Sequence, residues 1–177
     1  ISTGTLTSHP PGTIAGGGTL VLNRLAFYGS GTLGADVITS QCDFHPGNPT
    51  GTLRIEGYCR LNALSSLSIE IGGPASGSGY DRLEVAGQAT LGGALKVGVT
   101  RGYRPLPCDQ FTVLTHGTIT GRFASTTGLD LGDGLLLLPA QLGSPILLAR
   151  LSWQRISVNP TALGTSEGNS AQAYRVC

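Results

Sequence analysis

The chain has 177 residues, of which 28 are Gly and 10 Pro; 40% are hydrophobic, only 12% are charged, and the formal net charge at pH 7 is +1. That length accommodates one domain with a continuous core. The apolar share excludes a disordered Gly-rich tract, and scattered Lys and Arg exclude a nucleic-acid footprint.

No run of about 18 apolar residues occurs, so neither a transmembrane helix nor membrane insertion is expected. The chain opens at Ile1, without a positively charged start leading into an apolar run, and reads as a processed or excised portion of a longer protein.

In chain order, Thr5 to Thr7 is a short strand, followed by a His-Pro-Pro-Gly turn that no helix tolerates. Gly-Thr-Leu opens strands at Gly4, Gly18, Gly31 and Gly51, at uneven intervals. Leu25 to Tyr28, Leu33 and Val37 to Ile38 follow between glycines, and the turns PGNPTG then lead into a strand with Leu53 and Ile55 inward. Leu67 to Ile71, the loop GGPASGSG, Tyr80 to Val85, the turn AGQ, Ala89 to Val99 and Phe111 to Leu114 continue the alternation.

Each strand offers too little apolar surface to fold alone, so burial must come from stacking. The expectation is an all-β solenoid, a parallel β-helix of roughly 20 residues or more per coil. The predicted domain is 1–158, best patterned over 45–138, with 159–177 a polar tail or cap. The apolar runs Leu135 to Leu138 and Ile146 to Leu151 mean burial on both faces or cover by a partner. Leu135, Leu137, Ile146, Leu148 and Trp153 are the candidate contact surface.

Four cysteines in a Thr/Gly-rich β protein fit an oxidising compartment. Of the three pairings, Cys42 with Cys59 and Cys108 with Cys177 is preferred. The first bridge would close the short loop between its two cysteines and contribute about 3 kcal/mol. Cys42, His45 and Cys59 lack a fourth zinc ligand, so a disulfide is the simpler account. Asp130 and Asp133 in LDLGDG make half of a calcium loop, but no further acid follows nearby, and a plain Asp-Gly turn is favoured. No metal and no cofactor is expected. Glu56, Glu70, Asp81 and Glu84 are spread along the chain and assemble no carboxylate pair for glycoside chemistry, so no catalytic residue is assigned and the chain is expected not to be an enzyme.

The segments HPGNPTGTLRIEG, LSSLSIEIGG, GYDRLEVAGQATLGGALKV, YRPLPCDQFTVLTHGTITGRF and GLDLGDGLLL, in this order over about residues 45–138, resemble autotransporter-type passenger repeats of bacterial surface proteins. The chain departs from that pattern at Cys108 and in its four cysteines. The resemblance implies a right-handed parallel β-helix displayed outside the cell as a stalk, adhesin portion or fibre component, and it carries over no catalytic residue. The functional expectation is a non-enzymatic extracellular module at the cell surface, partnered by copies of itself or by neighbouring domains. The alternatives are an adhesive module binding surface glycans and a polysaccharide-degrading β-helix enzyme.

Overall fold

Short apolar strands cannot each own a core, so their positions are decided by what they stack upon. The computed structural model of the chain describes residues 4–100, 102–131, 137–140 and 146–150. Its strands are β1 (Gly4–Ile14), β2 (Thr19–Asn23), β3 (Leu25–Leu33), β4 (Asp36–Ser40), β5 (Asp43–His45), β6 (Thr52–Ile55), β7 (Cys59–Leu61), β8 (Ser66–Ile71), β9 (Arg82–Leu91), β10 (Ala94–Val99), β11 (Gln110–Gly121), β12 (Ser125–Thr127), β13 (Leu137–Ala140) and β14 (Ile146–Arg150). No helix among the described residues is long and apolar enough to cross a membrane.

The pairing resolves into three parallel ladders. The first runs from residues 4–8 of β1 through 25–29 of β3 to β5, β8, β10 and β12. The second runs from residues 12–14 through 31–33 to β6, then 82–85 of β9 and 114–116 of β11. The third passes from β2 to β4, β7, residues 89–90 of β9 and 118–121 of β11. The chain visits the ladders in the same order on each circuit, which is the pairing expected of a β-solenoid. Among the described strands β14 and β13 alone depart from it, lying antiparallel on β11 and on each other.

In-register stacking aligns identical pleat positions, so inward residues form columns along the axis. On the first face Phe27, Phe44, Leu67 and Leu95 succeed one another as ladder partners, all at 0% exposure. Phe27 and Phe44 stack with centroids 5.0 Å apart. The second face supplies Leu33, Ile55 and Val85, the third Val37, Cys59 and Ala89, all buried.

Coil length is not constant. On the third ladder Thr19 pairs with Asp36, Val37 with Cys59 and Cys59 with Ala89, each advance along the chain longer than the one before. The Gly-Thr-Leu repeats therefore do not mark equivalent coil positions: Gly4 falls on the first ladder, Thr19 on the third, and Gly31 and Thr52 on the second. The expected His-Pro-Pro-Gly turn is instead a register shift between Ser8 and Gly12 inside one continuous strand. An edge strand tolerates this, because a proline there removes no ladder bond that a neighbour needs.

Two expectations are corrected. Cys42 and Cys59 are both free thiols, so the bridge between them does not exist. Leu137, Ile146 and Leu148 are buried by their own chain at 0%, 2% and 0% exposure, because β14 covers β11, and they form no contact surface. Leu135, Asp133, Trp153, Cys177 and the tail 159–177 lie outside the described residues.

Removing a ring from the first-face column leaves a void between two coils. Phe44→Ala is expected to cost about 3–5 kcal/mol, as large-to-small core changes do, read from the urea unfolding midpoint.

Candidate functional site

Outward positions also stack, and this brings together polar side chains far apart in sequence. On the first face Ala26, Asp43, Ser66 and Ala94 are successive ladder partners. The Asp43 carboxylate accepts hydrogen bonds from Ser66 Oγ (2.8 Å) and Ser68 Oγ (2.5 Å), and Lys96 Nζ lies 3.2 Å away. His45 Nε2 stands 3.5 Å from Asp43 Oδ1, with its ring stacked on Tyr28 at 4.2 Å. Partial burial raises the Asp43 carboxyl, but His45, Ser68, Ser66 and Lys96 outweigh it and hold the group well below the usual carboxylate range.

Beside this cluster Arg24 and Gln41 occupy two corners that feed the first face, both in the left-handed region (φ 53° and 51°). Arg24 Nε donates to Gln41 Oε1 at 2.8 Å. A concavity of about 460 Å³ opens between Gly4, Thr5, Arg24, Ala26, Gln41 and Asp43. Leu25 lines it too, so its wall is mainly apolar, with Arg24, Gln41 and Asp43 supplying the polar groups.

On the second face the charges neutralise one another. Arg54 pairs with Glu56 at 2.7 Å and reaches Glu84 at 3.6 Å, and Arg82 lies 3.2 Å from Glu84. These pairs are solvent-exposed or half-exposed and contribute little to stability. They do bring Glu56 and Glu84, expected to be far apart, to one shared arginine.

Three further acids accept backbone N–H groups. Asp36 Oδ1 accepts the Tyr58 N–H at 2.9 Å, and Asp109 Oδ2 accepts Tyr103 Oη at 2.8 Å and the Leu106 N–H at 2.7 Å. Asp81, at 0% exposure, accepts the N–H groups of Gly51 and Glu70, both at 2.9 Å. It thereby ties the corner after β5 to the coil above. A Cβ on Gly47 would land on the Asp81 carboxylate oxygen, and one on Gly57 would land on Asp36. Here Gly is required by close approach, and the Pro-Gly and Tyr-Asp signatures are two sides of one corner.

Desolvation dominates at Asp81 and lifts its carboxyl to about 7, against the pull of the Glu70 and Gly51 amides. Buried thiols are raised likewise: Cys42 to about 11 by burial and the Asp43 charge, Cys59 to about 12 by burial and Cys42. Neither is a nucleophile at neutral pH. Among the described residues no group of three or more His, Cys, Asp or Glu is placed to hold a metal. Asp130 is exposed, and the Asp133 half of the supposed calcium pair lies outside the described residues.

The fold is that of an all-β, parallel-laddered chain in which Arg54, Arg82, Glu56 and Glu84 pair with each other and Asp36, Asp81 and Asp109 cap the backbone. No family model matches the sequence. Over 100 residues, 55% of its length, the chain is 36% identical to the adhesin BmaC autotransporter of Brucella suis biovar 1 (strain 1330). It spans 3% of that relative's length.

Two measurements follow from these burials. Asp81 binds its proton near pH 7 when folded and near the ordinary carboxyl value of 3.8 when unfolded, so between those values the native state holds the extra proton. The Asp81 contribution to stability is then full below about pH 4 and declines as pH rises through 7. Urea midpoints taken from pH 4 to 8 should fall with rising pH in the wild type and fall clearly less in Asp81→Asn. Iodoacetamide should leave Cys42 and Cys59 unmodified in the native protein and label both in denaturant, as read by peptide mapping.

Proposed function

We propose that this chain is a structural display segment of a bacterial surface protein, non-enzymatic and wound as a right-handed parallel β-helix. The observation that carries the reading is the set of three continuous parallel ladders whose inward columns run the length of the described structure. A rod of this kind holds whatever lies beyond it at a fixed distance, which suits a stalk or adhesin portion.

Three further points support it. Parallel crossovers are right-handed in about 98% of cases, which favours that hand for each coil. The partial likeness to an autotransporter adhesin favours the surface setting. The acids that would otherwise suggest chemistry have structural work: Asp81, Asp36 and Asp109 receive backbone amides, while Glu56 and Glu84 pair with arginine.

The test is whole-cell labelling. Antibodies against the folded chain should stain intact cells that produce the full-length protein, and external protease should remove the stain. Staining confined to permeabilised cells would overturn the reading.

A further inference from the structure

The edge where the third face turns into the first carries side chains that its geometry does not ask for. The backbone is left-handed there at Arg24 (φ 53°), Gln41 (φ 51°) and, in a later coil, Gly93 (φ 63°). Glycine takes this conformation freely, whereas a Cβ makes it costly. The two earlier corners accept that cost and hold long polar side chains, both exposed. Apart from the bond from Arg24 Nε to Gln41 Oε1, neither side chain is bonded among the described residues.

Other bases gather along the same edge. Cys59 and Leu61 of β7 point inward, so Arg60 between them points out, and Arg122, directly after β11, is exposed. Among the described residues Arg24, Arg60 and Arg122 make no ion pair, whereas Arg54 and Arg82 on the second face are matched by Glu56 and Glu84. Of the acids near this edge, Asp43 faces Lys96 and His45, and Asp36 accepts the Tyr58 amide. Arg24, Arg60, Lys96 and Arg122 therefore leave an excess of positive charge along it.

The arginines are also evenly spaced. The third ladder runs β2, β4, β7, β9, β11, and Arg24 follows the first of these strands, Arg60 lies in the third and Arg122 follows the fifth. Ladder neighbours stand about 4.8 Å apart, so successive arginines are about 10 Å apart along the axis. Across the strands the register keeps all three within three residue positions of one another.

We infer that this edge binds a linear acidic polysaccharide laid along the rod, with a carboxylate on every second sugar. An extended pyranose is about as long as one strand spacing, so carboxylates on alternate sugars meet successive arginines. The concavity beside Arg24 and Gln41 offers Leu25 and Ala26 to the C–H face of a ring, and the Gln41 amide can donate to its hydroxyls. Each strand of a DNA duplex carries a phosphate every 3.4 Å or so, roughly three times as dense as these arginines. The inference goes beyond the display reading and does not depend on it.

The test titrates a fluorescein-labelled hyaluronan oligosaccharide, long enough to span the three arginines, with the full chain and follows its anisotropy. Binding should saturate at low ionic strength and weaken as salt is added. Arg24→Gln, Arg60→Gln and Arg122→Gln together should weaken it by about tenfold or more, while Arg54→Gln with Arg82→Gln should change it by less than about twofold. Arg24→Gly separates binding from folding: it relieves the left-handed residue, so the urea midpoint should hold or rise while binding falls. The inference is overturned by any of four results: no saturable binding, equal losses from the two sets of arginines, a DNA duplex of similar length bound as tightly, or an Arg24→Gly chain that loses stability and keeps its binding.

Discussion

Everything in this structure depends on register between coils. Each strand has too few apolar side chains to hold itself, and it becomes stable only when its inward positions meet the inward positions of the coil before and the coil after. The column Phe27, Phe44, Leu67, Leu95 is that constraint in one line. A slip of one residue in any member would turn its whole apolar set to solvent. The backbone bonds of the ladders and the apolar columns therefore enforce the same alignment, and the rest of the chain is arranged so as not to disturb it.

The corners show what that arrangement requires. Asp81, Asp36 and Asp109 each accept backbone N–H groups at turns, and the glycines at 47 and 57 leave room for two of those carboxylates. Buried Asp81 is kept because the two amides it satisfies would otherwise be orphaned inside the coil. Signatures that look like functional motifs in a linear reading thus have a structural origin. The outward faces gather side chains that are bonded across coils, such as Arg24 with Gln41 and Asp43 with Ser66, Ser68 and Lys96.

Strand positions were legible in the amino-acid pattern because alternation is local. Leu53 and Ile55, Leu83 and Val85, and Leu95 and Val97 all face inward as their two-residue period requires. Stacking partners were not legible, since a ladder that steps from Thr19 to Asp36, from Val37 to Cys59 and from Cys59 to Ala89 lengthens each time and leaves no fixed period to detect. The Gly-Thr-Leu repeats misled for that reason. The cluster of Asp43, Ser66, Ser68 and Lys96 was invisible on the same ground, because its members are neighbours only across coils. The expected Cys42–Cys59 pairing also misled: these two thiols are used as small apolar fillers, Cys59 between Val37 and Ala89 in a core column.

The uneven coils carry a consequence for how such a molecule changes over generations. On the first face, from β3 onward, the step from one partner to the next lengthens, from Ala26–Asp43 through Asp43–Ser66 and Ser66–Ala94 to Ala94–Ser125, while the ladder itself keeps its alignment. The additional residues sit in corners such as Gly72 to Gly79 and Gly102 to Asp109, outside every ladder. Insertions and drift can accumulate there without altering the rod. The outline of the corners is free to diversify while the scaffold beneath is inherited unchanged.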